Sequence, residues 1–346
     1  MKSLVIHILA VGKGDCLLIE LPEEFGVVDS YNSFQPLSDA LHHEDVTKAA
    51  SVIFVCLTHP HLDHMKGIDS ILELAAESGG EFWHTIADME EVLQLQEDIK
   101  DAYFALAPEE FIEEITEFVK AVGVVLKKFA RDRVRFIIAE PGQSERLFSR
   151  AGVEIDVLAP SLQITRDYIY MLRLVKSGEL QEVDVKMANS ISAVLRVRYG
   201  ENTIILGGDT TSEIWEQITG RNVSKSPQPM QVQAVKASHH GSNYSFYPGL
   251  WQDLFGNKPG IIIVSADGVV RPTKSFLGSF QPRKNRGIYD EIYCTGSINF
   301  QQREDSFPLE YLAVSDRVSK QIPDNETVQG RNIVMTIPPK GPITVN

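Results

Sequence analysis

Cysteine is scarce in this sequence: Cys16, Cys56 and Cys294 are the three present, and they lie far apart. This spacing excludes a disulfide framework and a cysteine zinc knuckle, which need closely spaced or paired cysteines. Cys16 and Cys56 stand in apolar runs, as is typical of small buried hydrophobic side chains. We therefore expect a reducing compartment.

Long apolar runs are also missing, since none approaches the roughly 18 residues of a membrane helix. The N-terminal MKSLVIHILAVGKGD passes from a short apolar stretch into a charged glycine loop, which predicts a first strand and not a signal peptide. Asp15 closes that loop, where a carboxylate typically bonds to turn backbone. These features predict a cytoplasmic protein without membrane contact and leave its oligomeric state open.

Positive charge is in short supply as well. The chain has 33 Lys and Arg against 47 Asp and Glu, a formal net charge of −14, and no basic tract comparable to its acidic stretches. Binding along duplex phosphates without sequence preference needs a basic stripe. The charge therefore disfavours a long nucleic-acid groove but permits a local basic rim at an active site.

The arrangement of apolar residues predicts a mixed fold. Short apolar or alternating runs toward both ends of the chain predict strands, and an acidic, helix-periodic stretch at about 88–135 predicts helices. Within that stretch, the stripe of Phe111, Ile115, Phe118 and Val122 indicates packing against a core. No clean linker interrupts the sequence, so we predict an α+β protein in which residues 1–346 form one domain with a helical insertion.

The segment CLTHPHLDHMKGI (56–68) crowds three of the nine histidines and an aspartate into six positions: His59, His61, Asp63 and His64. The segment follows a predicted strand and precedes a predicted helix. In such a turn, residues i and i+2 can point one way while i+4 and i+5 point the other, so one loop can serve two adjacent ions. Imidazole and carboxylate are ligands for zinc, manganese or iron, and the segment therefore predicts a metal site.

Two further segments place polar residues directly after predicted strands. NTIILGGDTTSEIW brings Asp209 after a double glycine, and Thr210 and Glu213 have the spacing of a capping box. VQAVKASHHGSNYS ends a strand in His239 and His240. Each motif alone is weak, but together with the histidine segment they predict one shared metal centre.

These motifs resemble the metallo-β-lactamase fold family. HPHLDH matches its HxHxDH signature, Asp29 its first-motif aspartate, Asp209 its metal-bridging aspartate and HHGS its final histidine motif. VGKGD (11–15), Asn189–Ser192, LGGD and KASHHGSNYS together look like the hydrolase domain of the ComEC-type competence DNA-uptake family and its free-standing relatives. The resemblance covers most of residues 4–275 apart from the helical insertion. It implies a four-layer αββα sandwich with two metal ions at one edge, between the sheets.

The resemblance also implies a ligand set divided between two ions. It assigns His59 and His61 to the first ion, Asp63, His64 and one histidine of the final pair to the second, and Asp209 to both. Of that pair, we favour His239 as the ligand and give His240 a role toward the substrate. Asp29 would brace the histidine loop through hydrogen bonds. Zinc is the expected metal, with manganese as the alternative.

Two positions depart from the pattern of this family. Asn189 stands where most members have a third histidine for the first ion, and an amide oxygen is a harder and weaker ligand than imidazole. That ion would bind loosely, prefer manganese or enter only with substrate. Arg271, in SADGVVRPTKS, stands where the ComEC-like pattern has a histidine before proline. A guanidinium suits a phosphate or carboxylate, and a surface salt bridge is the alternative.

Taken together, these residues predict a metal-dependent hydrolase that acts on a phosphodiester, as a nuclease or phosphodiesterase does. Asp63 or Asp209 would steer the proton of the attacking water, and His240 or Arg271 would stabilise the oxyanion or leaving group. Two alternatives stay open. One is hydrolysis of a small ester, lactone, lactam or cyclic phosphodiester, which the acidic charge favours over long DNA. The other is a catalytically silent metal-binding interaction module.

Overall fold

The computed structural model describes residues 2–21, 24–32, 51–103, 109–180, 185–266, 271–279, 291–296 and 331–346. Their strands, in chain order, are β1 (Leu4–Ile8), β2 (Leu17–Glu20), β3 (Glu24–Val28), β4 (Ser51–Leu57), β5 (Glu81–His84), β6 (Val134–Phe136), β7 (Glu145–Arg150), β8 (Val153–Ala159), β9 (Val194–Tyr199), β10 (Asn202–Leu206), β11 (Ala234–Lys236), β12 (Ile261–Val264), β13 (Glu291–Cys294), β14 (Ile333–Ile337) and β15 (Thr344–Val345).

Helices connect and cover these strands. In chain order they are α1 (Leu62–Met65), α2 (Ile68–Glu77), α3 (Met89–Tyr103), α4 (Glu109–Lys128), α5 (Leu162–Lys176), α6 (Val185–Ser190), α7 (Ser212–Thr219), α8 (Leu250–Phe255) and α9 (Lys274–Gly278). Short 3₁₀ turns occupy Arg131–Arg133 and Ser238–Gly241. In the described part of the chain, no helix combines the length and the apolar character needed to cross a membrane.

The strands form two mixed sheets. The first has the order β15-β14-β1-β2-β3-β4-β5-β6 and the second the order β13-β12-β11-β10-β9-β8-β7. In each sheet one half is antiparallel and the other half parallel: β3 to β6 run parallel in the first sheet, and β10 to β13 in the second. Each parallel half therefore directs the carboxyl ends of its strands to one edge.

Three apolar cores separate four layers. Successive strand residues face opposite sides, so Val27 and Val55 pack under the helices α2–α6 while Val28 and Cys56 face the second sheet. On the far side of the second sheet, Val235 packs with residues of α7, α8 and α9. The layers are thus helices, sheet, sheet and helices. The predicted fold class is confirmed: the protein is α+β, with the αββα order of layers that the resemblance implied.

Helices α3 and α4 occupy the acidic stretch at about 88–135, as predicted. Ile115, Phe118 and Val122 of the predicted stripe are buried in α4, and Phe118 and Val122 pack in the core of the first sheet. Burial of such a side chain stabilises the fold by about 1.5–3 kcal/mol. The side chain of Phe111 lies outside the described part.

Helix α4 also contacts the histidine loop through three carboxylates. Glu113 pairs with Lys66 at 2.6 Å, Glu114 accepts from the backbone N–H of Leu62 at 3.4 Å, and Glu117 accepts from that of Gly67 at 3.2 Å. Helices α1 and α2 have no side-chain cap at their own N-cap residues. The acidic helix therefore supplies the capping contacts for the segment that carries the histidines.

The predicted site residues meet because of strand direction. Asp29 and His59 follow β3 and β4, which are parallel neighbours, while Asp209 and His239 follow β10 and β11, which are parallel neighbours in the other sheet. The two edges are joined directly, since the backbone N–H of Ala193 donates to the carbonyl of Thr58 at 3.0 Å. The site thus lies where the two sheets meet.

His84 is a buried histidine that lies outside this site, and its pKa provides a test of the fold. His84 packs between Phe82 and Phe136, with ring centroids 5.4 and 6.1 Å away, and its Nδ1 accepts from the N–H of Ile86 at 3.3 Å. Burial lowers the pKa of His84 to about 4. The unfolded chain takes up this proton near its ordinary pKa of about 6.5.

The free energy of unfolding should therefore fall as the pH drops from about 6.5 toward about 4, because only the unfolded chain gains the proton in that window. Between about pH 7 and about pH 5 the loss from His84 amounts to about 2 kcal/mol. Urea unfolding with a chelator present, in the wild type and in His84→Gln, isolates this contribution because glutamine does not titrate. Equal pH dependence in the two proteins would contradict the assignment.

Candidate metal centre

The site is braced first by Asp29, which follows β3 in a left-handed conformation with φ 60°. Its carboxylate accepts from the backbone N–H of Thr58 at 2.8 Å, from the Thr58 hydroxyl at 2.8 Å, and from Nδ1 of His64 at 2.7 Å. Nδ1 of His64 is therefore the donor in this contact, and its Nε2 faces the site. Asp29 orients the loop, as the sequence predicts.

His59 is oriented by the same network. The Thr58 hydroxyl donates to Asp29, so Nδ1 of His59, 3.1 Å from that oxygen, is the donor in the contact between them. Nε2 of His59 then carries a lone pair, and it lies 2.9 Å from Nδ1 of His61. Burial lowers the pKa of both histidines, so both are neutral near pH 7, which is the form that ligates metal.

Asp209 is fixed by a tight turn after β10. Its backbone N–H donates to the hydroxyl of Ser192 at 2.8 Å. A Cβ on Gly208 would lie 2.4 Å from that hydroxyl, and Gly208 has φ 51°, so only glycine fits this approach between the strands. The capping box predicted for Thr210 and Glu213 is wrong, because α7 begins one residue later with Thr211 as its N-cap. Ser192, which precedes β9, and not the helix start, positions Asp209.

The final histidine motif forms a sharp left-handed turn after β11. His239, His240 and Gly241 have φ values of 49°, 53° and 75°. Left-handed conformations at non-glycine residues cost of the order of 1–3 kcal/mol and persist where the surroundings impose them. Here the N–H of His239 donates to the carbonyl of Gly208 at 3.0 Å, and Nδ1 of His240 donates to the carbonyl of Ser265 at 2.8 Å. The turn thereby directs Nε2 of His240 into the site.

Four side chains converge at the centre: Asp63, His64, Asp209 and His240 each offer an atom within 4.8 Å of the others. Nε2 of His64 lies 3.3 Å from Oδ1 of Asp209. Nε2 of His240 lies 3.4 Å from Oδ2 of Asp63 and 3.7 Å from Oδ2 of Asp209. Residues from both sheets therefore meet around one small volume.

The donor set of this cluster fits a metal ion. Within the described residues, Nε2 of His64, Nε2 of His240 and Oδ1 of Asp209 are buried and make no hydrogen bond. Buried polar atoms without a partner are costly, and native proteins keep few of them. These three atoms can all donate an electron pair to one cation, so the cluster could hold a metal ion.

The charges in the cluster shift each pKa in a definite direction. Burial opposes ionisation of Asp63 and Asp209, but the nearby imidazoles, His64 foremost, hold the pKa of both carboxyls below the ordinary value. Burial also opposes charge on His64 and His240, yet Asp209 and other carboxylates raise the pKa of both. The imidazoles thus hold protons that balance the carboxylates, and a metal ion that binds these nitrogens must displace those protons.

His239, which the sequence favours as the metal ligand of the histidine pair, lies at the edge of the cluster. Its side chain is 21% exposed, and its Nε2 is 3.8 Å from Oδ2 of Asp209. Burial lowers the pKa of His239, so the ring is neutral, and Nδ1 accepts from the amide nitrogen of Asn189 at 3.3 Å. Its proton therefore lies on Nε2. His240, and not His239, belongs to the group that converges at the centre, although the two Nε2 atoms lie at similar distances, 3.7 and 3.8 Å, from Oδ2 of Asp209.

Asn189 and Arg271 flank His239. Oδ1 of Asn189 is buried and makes no hydrogen bond within the described residues. Arg271 is half-buried, and its positive charge is one of the causes that lower the pKa of His239. The segment after it packs on the histidine turn, since the N–H of Thr273 donates to the carbonyl of Gly241 at 2.9 Å. Arg271 therefore lies beside the exposed edge of the cluster.

Two functional candidates, Asp15 and Lys236, were not predicted from the sequence. Asp15 is fully buried and accepts from Nζ of the buried Lys236, whereas the sequence predicts a turn carboxylate bonded to backbone. Oδ1 of Asp15 lies 3.6 Å from Nδ1 of His240. One sequence feature could have indicated this pair. Lys236 is the single charged residue within the apolar run VQAVKA, and a lysine at a core position of a strand needs a partner.

No protein-family model matches the sequence, and no curated protein matches it. Among solved structures, the metallo-β-lactamase fold protein YhfI from Bacillus subtilis matches with a TM-score of 0.41 and 12% identity, covering 85% of this chain and 97% of that chain. The short form of human tRNase Z matches with a TM-score of 0.35 and 12% identity, covering 67% of this chain and 76% of that chain.

A mutant of the CmlA β-hydroxylase matches with a TM-score of 0.40 and 11% identity, covering 85% of this chain and 52% of that chain. Similarity at this level carries no conclusion about chemistry, because one fold hosts many functions. The chemistry is therefore argued from the geometry of the site.

Asp29→Asn tests whether the bracing network sets the metal affinity. Asparagine keeps one acceptor for Thr58 but loses a carboxylate oxygen, so Nδ1 of His64 loses its anionic partner. We expect metal affinity to fall by about 10- to 100-fold while the fold is kept. Chelator competition with zinc and with manganese measures the affinity. The control is Asp253→Asn, which changes a buried aspartate of α8 that pairs with Arg221 and should leave the metal affinity unchanged. Equal affinities in the two variants would refute the bracing role.

Proposed function

We propose that this chain is a metal-dependent hydrolase of the metallo-β-lactamase fold, related to the ComEC-like branch. The observation that carries the proposal is the convergence of Asp63, His64, Asp209 and His240, three of whose buried atoms make no hydrogen bond among the described residues. The motifs VGKGD, LGGD and KASHHGS support the branch. The four converging residues come from three separate segments of the chain, so the cluster is not the chance product of one polar loop.

Two cations account for the buried charge better than one. Asp15, Asp29, Asp63 and Asp209 bring four carboxylates into the region, and Lys236 brings one ammonium. With the imidazoles neutral as metal ligands, four carboxylates and one ammonium leave three negative charges, which exceed what one divalent ion offsets. Two divalent ions would offset them and leave room for an anionic nucleophile.

His59, His61 and the amide oxygen of Asn189 would hold a first ion, and Asp63, His64 and His240 a second. Asp209 would serve both. Mixed imidazole and carboxylate ligands suit zinc, and the harder amide oxygen at the first position favours manganese there.

Bound divalent ions would lower the pKa of a water molecule and offset charge that develops on the substrate. The protein groups at the open side then act on the substrate and its protons. The carboxylate of Asp63, 34% exposed, accepts the proton of the attacking water. His239 presents an Nε2–H, which donates to the oxygen that gains charge. Arg271 holds an anionic substrate oxygen beside it.

A phosphodiester is the substrate class that these groups fit. His239 and Arg271 both donate hydrogen bonds at the exposed edge, and a phosphodiester offers two anionic oxygens to them. The acidic helix α4, anchored on the histidine loop through Glu113, Glu114 and Glu117, places negative charge nearby. That charge repels a long polyanion, so a small phosphodiester is favoured over duplex DNA.

The reaction is tested with purified protein loaded with zinc or manganese on bis-p-nitrophenyl phosphate, a p-nitrophenyl ester and nitrocefin. We expect turnover of the phosphodiester, lost by more than about 100-fold in Asp209→Asn because the shared ligand is weakened. Hydrolysis of the ester or nitrocefin alone would select the small-molecule alternative. Bound metal without turnover of any substrate would indicate an interaction module.

Salt dependence separates small phosphodiesters from nucleic acid. A nucleic-acid substrate releases counterions when it binds, so its apparent affinity falls steeply between about 50 mM and about 200 mM salt. For the small substrate we expect a nearly flat profile, and single-stranded DNA and RNA oligonucleotides provide the comparison. Faster, steeply salt-dependent cleavage of oligonucleotides would overturn the preference for a small substrate.

His239→Ala and His240→Ala form a matched pair that tests the assignment of the two histidines. His240→Ala should release one metal equivalent, because it removes a ligand of the second ion. His239→Ala should keep the full metal content and lose about 10²- to 10³-fold in kcat, the usual effect of removing one oxyanion donor. Metal analysis and steady-state kinetics of both variants check this. The opposite pattern would restore the assignment favoured by the sequence.

A further inference from the structure

The ion pair of Asp15 and Lys236 crosses from one sheet to the other directly beside the metal centre. Asp15 precedes β2 in the first sheet, and Lys236 ends β11 in the second. Ala234 of β11 packs in the core between the sheets, and strand residues two apart share a face, so Lys236 enters that same core. Relative exposure is 0% for Asp15 and 1% for Lys236.

The lysine is charged in this position. Burial opposes its charge, but Asp15 and the more distant Asp209 and Asp29 outweigh burial and raise the pKa of Lys236. Its Nζ donates to Oδ2 of Asp15 and lies 3.5 Å from the carbonyl of Gly208, which precedes Asp209. The ammonium of Lys236 thus places a fixed positive charge on the buried side of the cluster.

Asp15 in turn contacts three residues of the centre. Its backbone N–H donates to the carbonyl of Asp63 at 3.0 Å. Its Oδ1 lies 3.6 Å from Nδ1 of His240, and its Oδ2 lies 4.0 Å from Nδ1 of His64. The carboxylate therefore lies behind both imidazoles, on the side away from the lone pairs that face the centre.

A second group of potential ligands lies at the same place. Asp15, Asp29 and His64 offer atoms within 4.8 Å of one another, and His64 belongs to both groups. A cation in this second group would draw His64 away from Asp209. The ammonium of Lys236 already neutralises Asp15, and Nδ1 of His64 is already taken by Asp29.

We propose that Asp15 and Lys236 are positioning residues for the metal centre. Lys236 acts as a resident cation that neutralises Asp15, keeps metal ions out of the Asp15–Asp29–His64 group and leaves the lone pairs of His64 and His240 directed at the catalytic ions. This inference rests on the proposed metal centre and concerns how the protein selects which carboxylates meet metal.

The test is a double-mutant cycle on the full chain with Asp15→Asn, Lys236→Met and both together. Zinc affinity is measured by chelator competition, and ligand geometry by the visible absorption of the cobalt-loaded protein. Asp15→Asn leaves an uncompensated positive charge beside the ions, so affinity should fall by about 10- to 100-fold. The double variant restores the charge balance and should return affinity to within about threefold of the wild type.

Lys236→Met leaves Asp15 as an unpaired buried carboxylate. We expect extra bound metal or a changed cobalt spectrum, because Asp15 then competes for the ion. If this variant does not fold, the comparison of Asp15→Asn with the double variant still tests the proposal, because replacing both members of a buried pair is often tolerated. Asp253→Asn, which unbalances the remote pair with Arg221, is the control and should lower thermal stability without changing zinc affinity.

The inference is overturned if Asp15→Asn binds zinc as the wild type does, or if the double variant is as weak as Asp15→Asn. A fall in thermal stability alone, with affinity and cobalt spectrum unchanged, would also overturn it, because that is a merely structural role. A wild type that binds no metal would remove the proposed function and this inference together. Altered affinity in a protein without hydrolase activity would remove only the hydrolase assignment.

Discussion

Enclosed negative charge is the constraint on which the centre of this molecule depends. Four aspartates lie where two sheet edges meet, and lysine supplies one of the charges that offset them. Water cannot solvate the buried Asp15, Asp29 and Asp209 at low cost, so each needs hydrogen-bond donors, a fixed cation or a metal. The structure meets this need differently at each residue: donors surround Asp29, an ammonium pairs with Asp15, and Asp63 and Asp209 face the centre.

Backbone geometry makes this arrangement feasible. Parallel strands deliver side chains to a common edge, and left-handed turns at Asp29, His239 and His240 reverse the chain there within a few residues. Such turns are unfavourable in isolation and are held by contacts made elsewhere, such as the bond of His239 to Gly208. Two of these strained residues, His239 and His240, are ones to which we assign chemistry.

The sequence alone was enough to predict the α+β class and to select Asp63, His64 and Asp209, which lie together in the structure, because strand-end histidines and aspartates are a local pattern. Strands β5, β7 and β13 are short or polar, so the sequence gives little local signal for them. It also could not separate His239 from His240, since a left-handed turn sends neighbouring side chains in different directions. The pairing of Asp15 with Lys236 joins residues 221 positions apart, and no local pattern records it.

The division of the centre between two sheets has a consequence for how the molecule is assembled. Residues that meet there range from Asp15 to Ser265, so neither sheet contains the site by itself. Contacts between residues so far apart in the sequence form only after the intervening chain has lost the entropy that loop closure requires. The centre is therefore complete only when the two sheets have packed together. A complete centre thus indicates that this protein has finished folding.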